Sequence, residues 1–412
     1  MKRLIYVLLI LPTSYVFSAD MKLPDETGGN FHDPERLVQN LPEDQAVTLN
    51  YQFSSLPLTG EAKVIPWVGG YWPKYLDSVN YRWDGENSVS AIEKYAEAFD
   101  VRDYYGNKAN LEDPISLKYG IDGKRYTWPS PQACSTTNRY CGYGMRCAIR
   151  QGETEGVCTE TWEGICHAWA AAAMSEPEPV NPVTINGVTF KINDIKALTT
   201  LMYTQGRQKN YMSYPCKKSD ARGEIQYDQW GRPSADDFEC ADTNPGALHV
   251  IAANFLGIHQ RSFVEDRIFD EQIWNQPVRG FDVLETRSVN AEEAMQLMAK
   301  GTNVFDVPKT YQFNDRAVAF QYVKMDLHYI AESPLTVDGN LSDRVDEFTE
   351  TDRYEYLLEL DAKGEIIGGE WLGRSKRNHP DFMTLTYGRS NQSIIGSIEW
   401  EDVKLLINQS VQ

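Results

Sequence analysis

Four of the seven cysteines, Cys134, Cys141, Cys147 and Cys158, crowd into one glycine-punctuated stretch, and the next one along the chain, Cys166, opens an alanine-rich run. Cys216 and Cys240 stand near each other further on, in a polar loop from Tyr214 to Asn244. Three disulfides would consume six of these residues. Their connectivity is open, because four clustered cysteines alone allow three pairings. The cluster lacks the C-x-x-C pairs of a zinc site, so disulfides are the expectation. Cys166 is then left unpaired. It lies in Trp162-Glu163-Gly164-Ile165-Cys166-His167-Ala168-Trp169-Ala170-Ala171-Ala172-Ala173, with Pro177 closing a short helix. The peptide N–H groups and dipole at a helix start favour thiolate over thiol, and reactive cysteines have pKa values of about 3.5–7.5. The competing reading is a small thiol filling a core.

Disulfides need an oxidising compartment, and the amino terminus supplies a route to one. Met1-Lys2-Arg3 precedes an apolar run from Leu4 to Leu11, then Pro12 and small residues up to Ala19. This reads as a secretory signal peptide over 1–19, too short for a membrane anchor, which needs about 20 apolar residues. The expected protein is secreted or periplasmic and is not a membrane protein after signal cleavage. A net charge of −19, from 59 acidic and 40 basic residues, argues against nucleic acid as a partner. With 42% hydrophobic residues the chain can bury a large core, and its 412 residues favour more than one structural unit.

Residues 20–60 are polar and weakly periodic and read as a weakly ordered leader or pro-like segment. The remainder, 61–412, reads as one catalytic region with a disulfide-rich insert over 130–160. Aromatic residues between Trp67 and Trp83 are expected in the core. Helices are expected from Ser88 to Phe99 and around Ala291 to Lys300, and a strand and helix within 186–205. Strands are expected at Ala317–Ile330, Tyr354–Leu360, Ile366–Leu372 and Phe382–Thr386. The fold class is α+β. No P-loop, dinucleotide fingerprint or H-E-x-x-H helix is present.

A cysteine nucleophile needs a base and a residue that orients it. His167 adjoins Cys166 and points elsewhere on a helix. His249 is preferred, because Asn244-Pro245-Gly246 delivers it to the start of a long apolar run and so to the exposed edge of a buried element. Asp266, in Ser262-Phe263-Val264-Glu265-Asp266-Arg267, is placed ahead of Asp361, Asp270 and Glu265 as its carboxylate partner. His328 with Asp361 is the rival pair. The main-chain N–H of Cys166 is the first oxyanion donor, and an indole of Trp162 or Trp169 is considered for the second.

One segment carries a family resemblance. Trp274-Asn275-Gln276-Pro277-Val278-Arg279-Gly280-Phe281 resembles the surface peptide of the oomycete cell-wall transglutaminases that plants recognise as an elicitor. Asn244 to His249, Tyr356 to Asp361, Gly364 to Trp371 and His379 to Phe382 look like the same family, and the resemblance spans roughly 60–400. The short signal looks like that of an exported bacterial relative. The resemblance implies a papain-like arrangement, with the nucleophile on a helix N-terminus packed against a mixed or antiparallel sheet. It implies a calcium-dependent protein–glutamine γ-glutamyltransferase acting on protein substrates with accessible Gln and Lys, or on polyamines. Cys166 is the implied nucleophile, His249 the base and Asp266 the third member, while Trp274 and Pro277 belong to the recognised peptide. Acidic runs at Asp236, Asp237, Glu239 and Asp242, and at Asp343, Asp346, Glu347 and Glu350, offer oxygen ligands without EF-hand spacing. The alternatives are a cysteine peptidase, a glutamine deamidase and a noncatalytic surface recognition protein.

Overall fold

The structure, a computed structural model, describes residues 34, 47–205, 208–211, 218, 223–233, 243–386 and 394–412. Strand β1 (Thr59–Glu61) is followed by helices α1 (Ala91–Ala98), α2 (Glu112–Tyr119) and α3 (Ile121–Arg125). Ser90 caps α1, accepting from the Glu93 N–H while Glu93 accepts from the Ser90 N–H, so both ends of a capping box are closed. Strands β2 (Ala133–Ser135), β3 (Met145–Ala148) and β4 (Glu155–Glu160) form a small antiparallel sheet in the order β2-β4-β3. Cys134–Cys147 and Cys141–Cys158 disulfides staple it. The sequence left this pairing open; the structure crosses the two bridges. The Cys216 and Cys240 expectation lies outside the described residues.

Helix α4 (Cys166–Ser175) comes directly after this sheet, followed by the hairpin of β5 (Val183–Ile185) and β6 (Val188–Phe190) and helix α5 (Ile192–Tyr203). Ala170, Ala171, Ala172 and Ala173 are all buried, and their small side chains let α4 lie close against α5. A buried Lys94–Asp194 ion pair, with the Trp83 indole donating to Asp194 at 2.9 Å, ties α5 to α1. Strand β7 (Gln208–Tyr211) precedes helix α6 (Pro245–Ile251), which continues as a π-helical turn over Ala252–Ile258.

Then come β8 (Val264–Asp266), β9 (Asn275–Val289), helix α7 (Ala291–Ala299), β10 (Ala319–Ile330), β11 (Thr349–Leu360), β12 (Ile366–Trp371) and β13 (Phe382–Thr386). The two-residue strands β14 (Ile394–Ile395) and β15 (Ile398–Glu399) lead into helix α8 (Trp400–Ser410). The main sheet has eight strands in the order β12-β11-β10-β9-β8-β13-β7, with β1 added beside β9. Its described pairings are all antiparallel. The protein is thus α+β, a helical layer with a disulfide-stapled insert beside an antiparallel sheet. Two main apolar cores result. One gathers α1, α4, α5 and α8 with Trp67, Trp72 and Trp83; the other packs α6 and the π-turn onto β9–β11.

The expected leader over 20–60 is corrected at its carboxyl end. Leu49 and Leu56 are buried, Asn50 exchanges hydrogen bonds with the Asn254 side chain (2.7 and 2.9 Å), and β1 pairs with β9. A Cβ on Gly60 would stand 2.6 Å from the Gly257 backbone, so only glycine lets β1 approach the π-turn this closely. The W-N-Q-P segment also differs from a surface peptide. Asn275 to Val278 are buried at the start of β9, and the strand becomes exposed only in its second half.

Candidate active site

The nucleophile candidate is set by its lead-in. The Gly164 backbone lies where a Cβ would meet the Tyr71 carbonyl oxygen at 2.6 Å, and the Ile165 N–H donates to that same carbonyl at 2.8 Å. Ile165 then accepts from the N–H groups of Ala168 and Trp169, so Cys166 is the first residue of α4. It is a free thiol, 4% exposed. Asn275 reaches it with both its main-chain N–H and its Nδ2, the latter at 3.6 Å, and Sγ lies 3.7 Å from the Ile273 carbonyl.

Burial pushes the Cys166 thiol up to about 11; the Asn275 donors oppose this, and the Glu332 and Asp266 carboxyls add to it. The expectation of a helix-depressed thiol is therefore corrected. One helix start is outweighed by desolvation and two acidic neighbours, and the cysteine rests as a thiol.

Asp266 is brought to this place by register. Its strand β8 lies between β9 and β13, with Asp266 opposite Asn275 on one side and Phe382 on the other. Cross-strand partners share a face, so the carboxyl projects beside the asparagine that contacts Sγ. Its Oδ1 accepts from the Trp274 N–H at 2.8 Å, and its Oδ2, fully buried, has no hydrogen-bond partner among the described residues. Burial raises its pKa well above the ordinary carboxylate value, with the Trp274 and Ile268 N–H groups working against the shift.

His249 is placed elsewhere. The residues around it form α6, with the Asn244 side chain capping the helix at the Gly246 N–H (2.8 Å), and His249 is fully buried rather than at an exposed edge. The imidazole is fully buried in the second core, its Nδ1 bonded to the Tyr356 hydroxyl at 2.8 Å and its ring between Phe53 and Tyr356. Burial lowers its pKa to about 4. No hydrogen bond or charge interaction joins it to Cys166. Asp266 is thus one of the two carboxyls whose charge bears on Cys166, whereas His249, on α6, is bonded to Tyr356 instead.

The other candidates separate in the same way. His328 bonds Asp282 at 3.0 Å and Thr351 at 2.8 Å, whereas Asp361 sits in a turn at the opposite end of β11, its Oδ1 taking the Lys363 and Glu365 N–H groups. The rival His328–Asp361 pair is therefore not formed. Asp270 accepts from the Gln272 N–H. Glu265, paired with Gln276 across the strands, is fully buried with neither oxygen hydrogen-bonded among the described residues. The Trp169 indole is committed to the Trp67 carbonyl at 3.3 Å and is not an oxyanion donor.

Sequence reasoning missed Asn275, Gln276 and Glu332. Asn275 and Gln276 were in view inside the W-N-Q-P segment, but their contact with a cysteine more than a hundred residues earlier needs the β8–β9 register. Glu332 accepts from Gln276 Nε2 at 2.8 Å and stood in no motif.

A model of the transglutaminase elicitor family matches residues 38–412. The chain belongs to that family. It is similar to the GP42 transglutaminase from Phytophthora sojae, whose crystal structure superposes with a TM-score of 0.71 at 36% identity, over 88% of this chain and 94% of that one. No curated protein matches the sequence. No helix among the described residues is long and apolar enough to cross a membrane.

A calcium ion, which the family resemblance implies, finds no fitting cluster among the described residues. Cys134, Cys141 and Cys158 are the three convergent metal-ligating types found, and they are held in disulfides. In the run from Asp343 to Glu350, Asp346 is taken by Arg279 and Glu347 by Arg344. The run from Asp236 to Asp242 lies outside the described residues.

Proposed function

We propose that this protein is an exported protein–glutamine γ-glutamyltransferase whose nucleophile is Cys166 and whose proton carrier is Asp266. The observation that carries the reading is the free cysteine at the α4 N-terminus, touched by Asn275, whose cross-strand partner Asp266 has a buried oxygen without a hydrogen-bond partner among the described residues. The arrangement is read as papain-like, a helix-borne thiol against an antiparallel sheet, with the carboxyl standing where the expected histidine is not.

In the acylation step Sγ attacks the side-chain carboxamide of a protein glutamine and its proton passes to the Asp266 carboxylate. The carbonyl oxygen becomes an oxyanion held by the Cys166 N–H and Asn275 Nδ2. The C–N bond breaks, Asp266 returns the proton to the leaving nitrogen, and ammonia departs, leaving a thioester. A lysine or polyamine nitrogen then attacks the thioester carbon, its proton passes through Asp266 to the sulfur, and an isopeptide is released. Water in place of the amine gives deamidation.

A carboxyl whose pKa is raised suits this exchange, since it takes and returns a proton more evenly than an ordinary aspartate. Export rests on residues 1–19 and on the disulfides. A noncatalytic recognition role draws on the high thiol pKa, and the unpaired Asp266 oxygen beside that thiol speaks against it.

The test is incorporation of a fluorescent primary amine into a glutamine-rich protein, with ammonia release followed in parallel. Wild type should label and Cys166→Ala should not, and a chelator arm decides calcium dependence. Ammonia without label would mark a deamidase. Silence in both channels would exclude acyl transfer, and cleavage of the acceptor protein would turn the reading to a peptidase.

A further inference from the structure

The disulfide-stapled insert has a surface unlike the rest of the chain. No Asp or Glu stands between Asp122 and Glu153, although the protein carries 59 acidic residues and a net charge of −19. Five cations, Lys124, Arg125, Arg139, Arg146 and Arg150, fall in that interval. Lys124 is spent on Glu160 and Glu163, Arg125 on Glu153, and Arg150 on Asp113 and Asp122. Arg139 and Arg146 are exposed and enter no ion pair among the described residues. The Arg146 guanidinium lies over the Tyr75 ring, 5.4 Å from its centroid.

Aromatic side chains gather on the same insert. Of seven exposed aromatics among the described residues, Tyr126, Trp128, Tyr140 and Tyr143 lie here, each 77% exposed or more. The strand register brings them towards one end of the small sheet. Met145 pairs with Glu160, and the Thr161 N–H donates to the Gly144 carbonyl at 2.8 Å, so Tyr143 turns where β4 ends. Gln132 donates to the Tyr140 carbonyl at 3.0 Å while its own carbonyl accepts from the Cys158 N–H at 2.8 Å. Trp128 stands in the link 126–132 between α3 and β2, just after the Lys124 that bonds Glu160 and Glu163. The same end of β4 delivers the chain to Cys166, and the stretch from Glu160 to Cys166 spans at most about 20 Å. Tyr71 braces that stretch: its hydroxyl donates to the Thr161 carbonyl at 2.8 Å, and its carbonyl accepts from the Ile165 N–H at 2.8 Å.

Exposed Trp, Tyr and Arg with no Lys or acid among them is the composition of a protein–protein interface core. No Leu, Ile, Val or Phe stands between 126 and 146 to enter a bilayer. We propose that the insert is an exosite for the glutamine-bearing substrate, docking an acidic segment of that protein through Arg139, Arg146, Trp128 and Tyr143. This rests on the acyl-transfer reading above and adds the substrate class. Carboxylates of the segment meet the two unpaired guanidiniums, and its apolar side chains cover the rings. The reactive glutamine then lies about six residues from the docked acids, the reach from β4 to Cys166. Because none of these side chains touches the thiol, the exosite acts on capture of the substrate and not on the chemical step.

The experiment uses three glutamine peptides, identical except for two residues about six positions from the glutamine, which are Glu, Ser or Lys. Wild type should favour the Glu peptide over the Ser peptide about three- to thirtyfold in kcat/KM at low salt, through KM, and the preference should shrink at about 0.5 M salt. Arg139→Gln/Arg146→Gln should erase the preference and leave the Ser peptide unchanged, Arg139→Lys/Arg146→Lys should keep part of it, and Trp128→Ala/Tyr143→Ala should raise KM for all three. Equal rates for the three peptides, or a preference that survives in Arg139→Gln/Arg146→Gln, overturns the proposal. Fluorescence anisotropy of the same peptides with Cys166→Ala is read in parallel, with polygalacturonate and phosphatidylglycerol vesicles as alternative ligands. If wild type turns over none of the peptides the acyl-transfer reading fails, and this arm then decides the surface alone. Tighter binding of the Glu peptide that is lost in Cys166→Ala/Arg139→Gln/Arg146→Gln upholds a docking surface for acidic protein. Equal binding of the peptides or none, or binding of the polysaccharide or the vesicles in their place, overturns it.

Discussion

The charges that reach Cys166 are carboxyls, Asp266 and Glu332, and this sets the chemistry open to the thiol. A cysteine paired with an imidazolium rests as thiolate; one beside carboxyls rests as thiol and must lose its proton as it attacks. Asp266→Asn should therefore reduce amine incorporation by about 10²–10⁴-fold, the range for loss of a positioned proton carrier. It should also remove the rise of kcat/KM with pH through the raised Asp266 pKa. His249→Gln should disturb the Tyr356 contact and stability instead, and a loss of activity on folded protein as large as that of Asp266→Asn would return the base role to His249. Glu265 gives a stability prediction of its own. Its pKa is raised well above the ordinary value by burial first, then by Asp352 and Asp266. The folded state then binds more protons than the unfolded chain, so stability falls as pH rises from about 4.5 through the raised folded value, by about 1.4 kcal/mol for each unit between the two pKa values. Glu265→Gln should be stabilising at pH 8 and close to neutral at pH 4 in thermal melts; an equal change at both would show that Glu265 does not titrate in this way.

At the scale of elements, the disulfide-rich insert is tied to the lead-in of the helix that Cys166 opens. β4 carries Cys158 and ends at Glu160, and Lys124 on α3 bonds both Glu160 and Glu163, immediately before Gly164 and Cys166. Replacing Cys141 and Cys158 together by serine should cost about 2–4 kcal/mol in denaturant unfolding and lower activity at temperatures where the remainder stays folded. Activity unchanged under those conditions would make the insert independent of the site. Much at this scale was legible. The alanine run, its opening at Cys166 and the later strands follow from composition and alternation, and α1 carries an S-x-x-E capping signature at Ser90 and Glu93. The stretch from Asn244 to Gly257 was not. An uninterrupted apolar run has no periodicity to separate a buried strand from a buried helix, and the proline at the first helical turn was the better guide to α6.

For the whole molecule, the site is a product of strand register more than of local motif. Cys166 was visible because it was the odd cysteine in a disulfide-rich chain, and the family was visible in the W-N-Q-P-V-R-G-F segment. The meeting of Asn275, Asp266 and Glu332 around the thiol depends on β8 pairing with β9 and on the segment after β10 folding back beside residue 69, which no spacing in the sequence encodes. In the proposed mechanism the helical layer would supply the nucleophile and the sheet its proton carrier, so the chemistry would depend on the two layers staying packed. The most direct measurement is the intact mass of the protein after acid quenching with a glutamine-containing peptide and no amine. The account predicts an adduct equal to the peptide less ammonia, mapped to Cys166, released by hydroxylamine, absent in Cys166→Ala and strongly reduced in Asp266→Asn. An unmodified Cys166 in protein that is releasing ammonia, or an adduct that persists in Cys166→Ala, would contradict it.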